Sequence, residues 1–157
     1  MPLRQPQLDR LTALFQSPPF ELGQRFTRAD EGLVAETIRL LDELLQYVDG
    51  LGGRVAFRED VGTYGKIQDI TSLVSSMAWS VRQSPIPDRS SEQLIPEFNF
   101  FYGTGVGYFA NGVQFVCTHD NDLALFIGRD RAYLRFHLLR AFQEASRYLR
   151  ASTPQNT

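Results

Sequence analysis

Residues 98–128, FNFFYGTGVGYFANGVQFVCTHDNDLALFIG, decide the predicted fold of this chain. The dipeptide Asn111-Gly112 suits the positive φ angles of a two-residue hairpin turn, and aromatic and β-branched residues flank it on both sides. This turn sets a strand register in which Ala110 faces Val113, because side chains alternate with a period of two. The stretch therefore begins with a predicted antiparallel hairpin.

A second turn is predicted at Asp120-Asn121, since both residue types bond readily to their own backbone in turns. This turn would place a third strand beside the hairpin and would pair Phe115 with Phe126. The three strands then form an antiparallel meander at about 98–127, and both of its faces are apolar. Such a sheet needs helices or a partner on both sides.

Four helices are expected to cover this sheet, because apolar residues recur at helical spacing in the remainder of the chain. The predicted helices span about 6–16, 29–49, 68–83 and 130–150. A short edge strand is predicted at about 54–58, where RVAFR alternates. The sequence thus predicts one α+β domain over residues 1–157, with a frayed tail at 151–157. The proline-containing segment 84–96 is interpreted as a crossover, with a mobile lid as the alternative.

Composition limits the possible partners. The 157 residues include 16 basic and 18 acidic side chains, and the net charge of −2 gives no general attraction to nucleic acid or to a membrane. The single cysteine, Cys117, cannot form an internal disulfide, and the chain shows no signal peptide, so a cytoplasmic location is expected. No cofactor is expected, because GTGVG at 103–107 precedes a strand where a phosphate-binding loop would precede a helix.

One polar cluster could carry chemistry, and it lies in the second predicted turn. His119, Asp120 and Asp122 combine an imidazole with carboxylates, which could provide a general base held by an acid. Their spacing matches no metal-binding signature, so no metal is predicted. The alternative is a structural turn in which His119 and Asp122 form an ordinary cross-strand pair.

A second cluster is basic and lies at the predicted start of the last helix. Arg129, Arg131 and Arg135 oppose the positive end of the helix dipole, so a negative group is expected nearby. A bound phosphate or carboxylate would supply it. The alternative is pairing with the acid-rich helix at 29–49.

The leading functional hypothesis is a non-catalytic protein–protein interaction module, such as a homodimer, adaptor, inhibitor or immunity-type partner. It would act through apolar surface around the meander. The predicted partner-binding residues are Trp79, Phe100, Tyr102, Tyr108 and Phe109. The alternative is a small hydrolase or phosphate-handling enzyme that uses the His119, Asp120 and Asp122 turn with the arginine cluster as an anion site. Nucleic-acid binding through the last helix is the weakest hypothesis.

Overall fold

The structure is a computed structural model, and it describes residues 5–20, 28–63, 65–83, 98–102, 107–110, 113–116, 122–127 and 130–152. Helices and antiparallel strands both occur in this part of the chain, in agreement with the predicted α+β class. The helices are α1 (Gln5–Phe15), α2 (Arg28–Gly50), α3 (Ile70–Gln83) and α4 (Arg140–Ser152). The first three predicted helices are confirmed to within two residues at each end.

Helix α2 is the centre of the helical layer, because α1, α3 and α4 all pack against it. Its predicted apolar stripe is fully buried: Val34, Ile38, Leu41, Leu45 and Val48. Residues at this spacing share one face of a helix, so burial of that face holds the neighbouring helices together. The helix ends before Gly52, which adopts a positive φ of 92° that suits glycine.

The strands form two antiparallel sheets. A three-stranded sheet has the order β1-β4-β5, and β2 pairs with β3 in a separate hairpin. The five strands are β1 (Phe98–Tyr102), β2 (Gly107–Ala110), β3 (Val113–Val116), β4 (Leu123–Ile127) and β5 (Asp130–Tyr133). Strand β5 also contacts α3, which joins the sheet to the helical layer.

The predicted hairpin register is confirmed, with Ala110 opposite Val113 in the β2–β3 pair. The predicted meander is not confirmed, and its second register is wrong. Phe126 lies opposite Asn99 of β1 and Arg131 of β5. Because β4 already has a neighbour at each edge, it has no free edge for β3.

The predicted edge strand at 54–58 is also wrong, since this segment joins no sheet. Its backbone bonds to the start of α3 instead. The carbonyl of Val55 accepts a hydrogen bond from the Thr71 hydroxyl, and the carbonyl of Phe57 accepts one from the Ile70 N–H at 3.0 Å. These contacts satisfy carbonyl groups that a strand neighbour would otherwise satisfy.

The last predicted helix begins later than expected. Residues 130–133 form β5, residues 134–139 form a π-helical segment, and only then does α4 begin. The apolar residues at 132–134 fit both a strand and a helix. Pairing with the edge of β4 that β1 does not occupy favours the strand. Asp130 therefore does not cap a helix.

Two predicted features lie outside the described residues: the segment 84–96, and most of the tail at 151–157. Helix α4 extends to Ser152 and includes the first two residues of that tail. No helix in the described part of the chain is long and apolar enough to cross a bilayer.

Gly53 gives a test of packing between the α2 turn and α4. A Cβ atom there would overlap the ring of Tyr148, whose hydroxyl donates a hydrogen bond to the Leu51 carbonyl at 3.0 Å. We expect Gly53→Ala to lower the free energy of unfolding by about 1–3 kcal/mol, the usual cost of overpacking. Urea unfolding measures this value.

The same substitution in two Tyr148 backgrounds isolates the cause. Tyr148→Phe keeps the ring, so Gly53→Ala should cost as much there as in the wild type. Tyr148→Ala removes the ring, and the cost should largely disappear. An equal cost in both backgrounds would show that the ring is not responsible.

Candidate functional site

The described part of the predicted polar turn is Asp122, and its carboxylate binds backbone N–H groups. Oδ1 accepts hydrogen bonds from the N–H of Leu123 at 2.8 Å and of Arg135 at 3.0 Å. Oδ2 accepts one from the N–H of Phe136 at 2.7 Å. Asp122 is only 4% exposed. It therefore acts as a cap for the π-helical segment, whose first N–H groups have no partner within the segment.

The other two members of that turn, His119 and Asp120, lie outside the described residues. Their proposed catalytic role stays a prediction. Asp122 itself is occupied by three N–H donors, which suits a structural carboxylate better than a general base.

The described members of the predicted arginine cluster lie on two different elements. Arg129 lies outside the described residues, Arg131 belongs to β5 and Arg135 belongs to the π-helical segment. Arg131 Nη2 donates to the carbonyl of Asp60 at 3.1 Å, and Arg135 Nη2 donates to the carbonyl of Phe20 at 2.9 Å. These recorded partners are backbone carbonyls, so neither bond is the predicted pairing with acids of α2.

Asp122 nevertheless places a carboxylate at the start of the π-helical segment. Binding of a separate anion by the arginines stays a prediction. In the structure β5 runs back along β4, so the start of β4 lies beside residues 133–136. The carboxylate at this position is thus supplied by the chain itself.

His137 is fully buried next to this cap and has a defined tautomer. Its Nδ1 accepts a hydrogen bond from the Tyr133 N–H at 3.0 Å, and its Nε2 lies 2.9 Å from the Glu59 carbonyl. The proton is therefore on Nε2, which donates to that carbonyl. The rings of Phe57, Tyr133 and Phe136 surround the imidazole. Both nitrogens are engaged, so His137 is a structural histidine.

Side chains from α2, α3, β5 and the segments around residues 54 and 65–67 line a groove in the described part of the structure. We call it the Trp79 groove. It has a volume of roughly 770 Å³, within the range of about 300–1,000 Å³ that is usual for binding pockets. Its lining residues are Gln46, Arg54, Gly65, Lys66, Ile67, Ser72, Ser75, Ser76, Trp79 and Asp130.

One wall of the Trp79 groove is a face of α3. Ser72, Ser76 and Trp79 are separated by four and three residues, so they lie on the same side of the helix. The opposite stripe of α3, which includes Val74 and Met77, is buried in the core. The small serine side chains leave room above the helix, and Trp79 borders that room. This indole is 64% exposed.

A charged cluster lies at the start of α3, and its residues Arg54 and Ser72 line part of the groove. The Asp69 carboxylate accepts the Ser72 N–H at 3.0 Å, and the Ser72 hydroxyl accepts the Asp69 N–H at 3.0 Å, so the two residues cap the helix reciprocally. Arg54 binds the same carboxylate through Nε at 2.9 Å and Nη2 at 3.0 Å, and binds Asp49 through Nη1 at 2.9 Å.

This cluster sets the charge state of Asp69. Burial raises the pKa of its carboxyl, but hydrogen bonds from Arg54 and Ser72 outweigh burial and hold the pKa below its ordinary value. The same pair raises the pKa of the Arg54 guanidinium, mainly through the hydrogen bond to Asp69. This part of the groove is therefore a charged but internally paired structure.

The remaining ionisable groups of the lining differ in how they are held. Asp130 is buried, and its Oδ2 accepts a hydrogen bond from the Ser76 hydroxyl at 2.7 Å. Lys66 is exposed and makes no ion pair within the described part of the chain. No group of three or more metal-ligating side chains occurs among the described residues. The arrangement suits binding of a ligand with both apolar and charged parts.

The other predicted partner-binding residues lie on strands. Phe100 and Tyr102 belong to β1, at one edge of the three-stranded sheet, whereas Tyr108 and Phe109 belong to the β2–β3 hairpin. Their side chains are outside the described residues, so their role stays a prediction. Of the five predicted partner-binding residues, only Trp79 has a side chain in the described part of the structure, and it lines the groove.

Sequence reasoning missed most of the Trp79 groove. It named Trp79 as a partner-binding residue, but it did not assign Lys66, Arg54 or Asp130 to a site. A signal for the charged cluster existed, because Asp69 and Ser72 have the spacing of a helix-capping pair. No local pattern places β5 against α3, so the other wall required the structure.

Comparison with known protein families, with curated protein sequences and with solved structures finds no match for this chain.

The Asp122 cap gives a stability prediction. Asp122→Ala leaves three N–H groups without their carboxylate, so the free energy of unfolding should fall by about 2–4 kcal/mol. Urea unfolding provides the measurement. Asp9→Ala is the matched control, because Asp9 is an exposed carboxylate of α1 and its removal should cost less than about 0.5 kcal/mol. Equal effects of the two substitutions would contradict the capping role.

The lowered pKa of Asp69 gives a pH prediction. Its charged form favours the folded state, so the stabilisation is complete above the ordinary aspartate pKa of about 3.9 and is lost as pH falls through the lower folded pKa. Asp69→Asn should be less stable than the wild type at neutral pH. Its free energy of unfolding should also fall less between about pH 6 and pH 3. Parallel pH curves for the two proteins, measured by urea unfolding, would rule out this contribution.

Proposed function

We propose that this chain is a non-catalytic protein–protein interaction module, and that the Trp79 groove is part of its binding surface. The observation that carries the proposal is the 64% exposure of Trp79 beside a groove of roughly 770 Å³. A large aromatic side chain gains much of its interaction energy from losing contact with water. Tryptophan is accordingly enriched among the residues that dominate binding energy at protein interfaces.

The other groups of the groove support binding over catalysis. Asp69 is held by Arg54 and Ser72, and Asp130 is held by Ser76. A general base must be free to take a proton from a substrate, and both carboxylates are already engaged. Paired charged groups of this kind instead give a rigid wall against which a partner can pack.

The predicted aromatic residues of the strands remain proposed partner-binding residues. Phe100 and Tyr102 lie on an edge strand, and Tyr108 and Phe109 lie on the neighbouring hairpin in sequence. Their participation remains a proposal, as does the choice between a second copy of the chain and another protein. Both kinds of partner would bury an apolar centre surrounded by polar groups.

The test compares two exposed apolar residues in the full-length chain. Trp79 and Leu51 are both large and exposed, at 64% and 51%, but only Trp79 lines the groove. Trp79→Ser should weaken complex formation by more than about tenfold, because a central tryptophan is commonly worth about 2 kcal/mol or more. Leu51→Ser should leave the complex unchanged.

Complex formation is measured in two ways. Sedimentation velocity of the purified chain detects a homodimer, and a photo-reactive amino acid at Ser75, in the groove lining, cross-links a different partner in the source cells. Support requires a complex that Trp79→Ser removes and Leu51→Ser retains. A complex that is insensitive to Trp79→Ser, or no complex by either method, would refute the proposal.

A further inference from the structure

We infer that the Trp79 groove accepts a polypeptide segment in which a large apolar side chain lies next to a carboxylate, with Lys66 as the partner of that carboxylate. This inference rests on the proposed protein-binding function and specifies the chemistry of the partner. It follows from the charges of the groove lining and from the apolar surface beside them.

The described lining residues include three charged side chains, Arg54, Lys66 and Asp130. Arg54 has no nitrogen left for a ligand, because its guanidinium binds Asp69 through two nitrogens and Asp49 through the third. Asp130 is buried against the Ser76 hydroxyl. Lys66 is the lining cation that these internal contacts leave unpaired within the described part of the chain.

An exposed ammonium group favours an anionic ligand, because it offers three hydrogen-bond donors and no acceptor. It also disfavours a basic segment, since like charges placed together cost binding energy. Lys66 is the single lysine among 16 basic residues of the chain. Among the described lining residues, Lys66 is therefore the cation with donors left for a ligand carboxylate.

A carboxylate fits this site better than a phosphate group. Phosphate-binding sites for peptides usually contain clusters of arginine with free, forked donors. Arg54 is the only arginine among the described lining residues, and all three of its nitrogens already donate to carboxylates. A phosphate would have to break those bonds, whereas a carboxylate needs only Lys66.

The apolar part of the segment is specified by Trp79 and by Ile67. Trp79 presents an exposed indole at the groove, and the nearly buried Ile67 contributes to its floor. The small side chains of Ser72 and Ser76 allow a backbone to approach α3 closely. The volume of roughly 770 Å³ suits a segment of a few residues.

The experiment uses the intrinsic fluorescence of the full-length protein. Trp79 is the only tryptophan of the chain, so a change in emission reports on this groove. Capped peptides carry a central leucine or phenylalanine flanked by glutamates. Matched peptides carry glutamines, lysines or phosphoserines at the flanking positions. Each peptide is titrated into the protein at low and at moderate salt concentration.

We expect the glutamate peptides to shift Trp79 emission to shorter wavelength and to bind at least about tenfold more tightly than the lysine peptides, a difference of about 1.4 kcal/mol. Added salt should reduce this preference. Lys66→Gln should remove the preference and Lys66→Glu should reverse it. Arg39→Gln is the control, because Arg39 is an exposed cation of α2 outside the groove lining.

Several results would overturn the inference: no binding by any peptide, equal affinity for acidic and basic peptides, or a preference that Lys66→Gln leaves intact. Tighter binding of the phosphoserine peptides than of the glutamate peptides would show that the groove prefers a phosphate group, and this result would contradict the inferred carboxylate. A complex that depends on Trp79 but shows no charge preference would refute this inference alone. Loss of all Trp79-dependent binding would refute the proposed function as well. Urea unfolding of each variant confirms that it is folded.

Discussion

The Asp122 carboxylate holds together the junction on which the second half of the fold depends. At residues 133–134 the chain passes from a strand to a helical segment, and the first N–H groups of that segment need acceptors. Asp122 accepts the N–H groups of Arg135 and Phe136, and it lies at the start of the central strand β4. One buried side chain thus fixes the sheet relative to the helix that follows it. The buried His137 adds a second connection, from Tyr133 to the loop at Glu59.

Sequence reasoning succeeded where structure depends on local patterns. The apolar stripes of α2 and α3 and the register of the β2–β3 pair are specified within a few residues, and these helices and this register are confirmed. It failed where distant segments compete for the same edge. The neighbours of β4 and the conversion of 130–133 into β5 depend on pairing energies that no local window contains. The predicted strand at 54–58 was wrong for a similar reason, since a carbonyl of this segment bonds to the start of α3.

The candidate site was predictable to a similar degree. An anion near the arginines of the last helical segment was expected from helix electrostatics, and its binding there stays a prediction. The contact of Asp122 with the N–H groups of Arg135 and Phe136 did not follow from the sequence, because the return of β5 along β4 was unknown. Of the residues that line the Trp79 groove, the sequence identified Trp79 alone. The charged part of the groove and its Asp130 wall come from segments far apart in sequence, and only tertiary contacts bring them together.

The β2–β3 hairpin lies between β1 and β4 in the sequence but not in the sheet, and this arrangement affects the order in which the strands pair. The β2–β3 and β4–β5 pairs each connect strands separated by only two residues, so their loops close at small entropic cost. Pairing of β1 with β4 must instead enclose the whole hairpin. Once the hairpin has formed, fewer unpaired residues separate β1 from β4 in the folding chain. The topology therefore favours a folding route in which two local hairpins form early and β1 joins the sheet last.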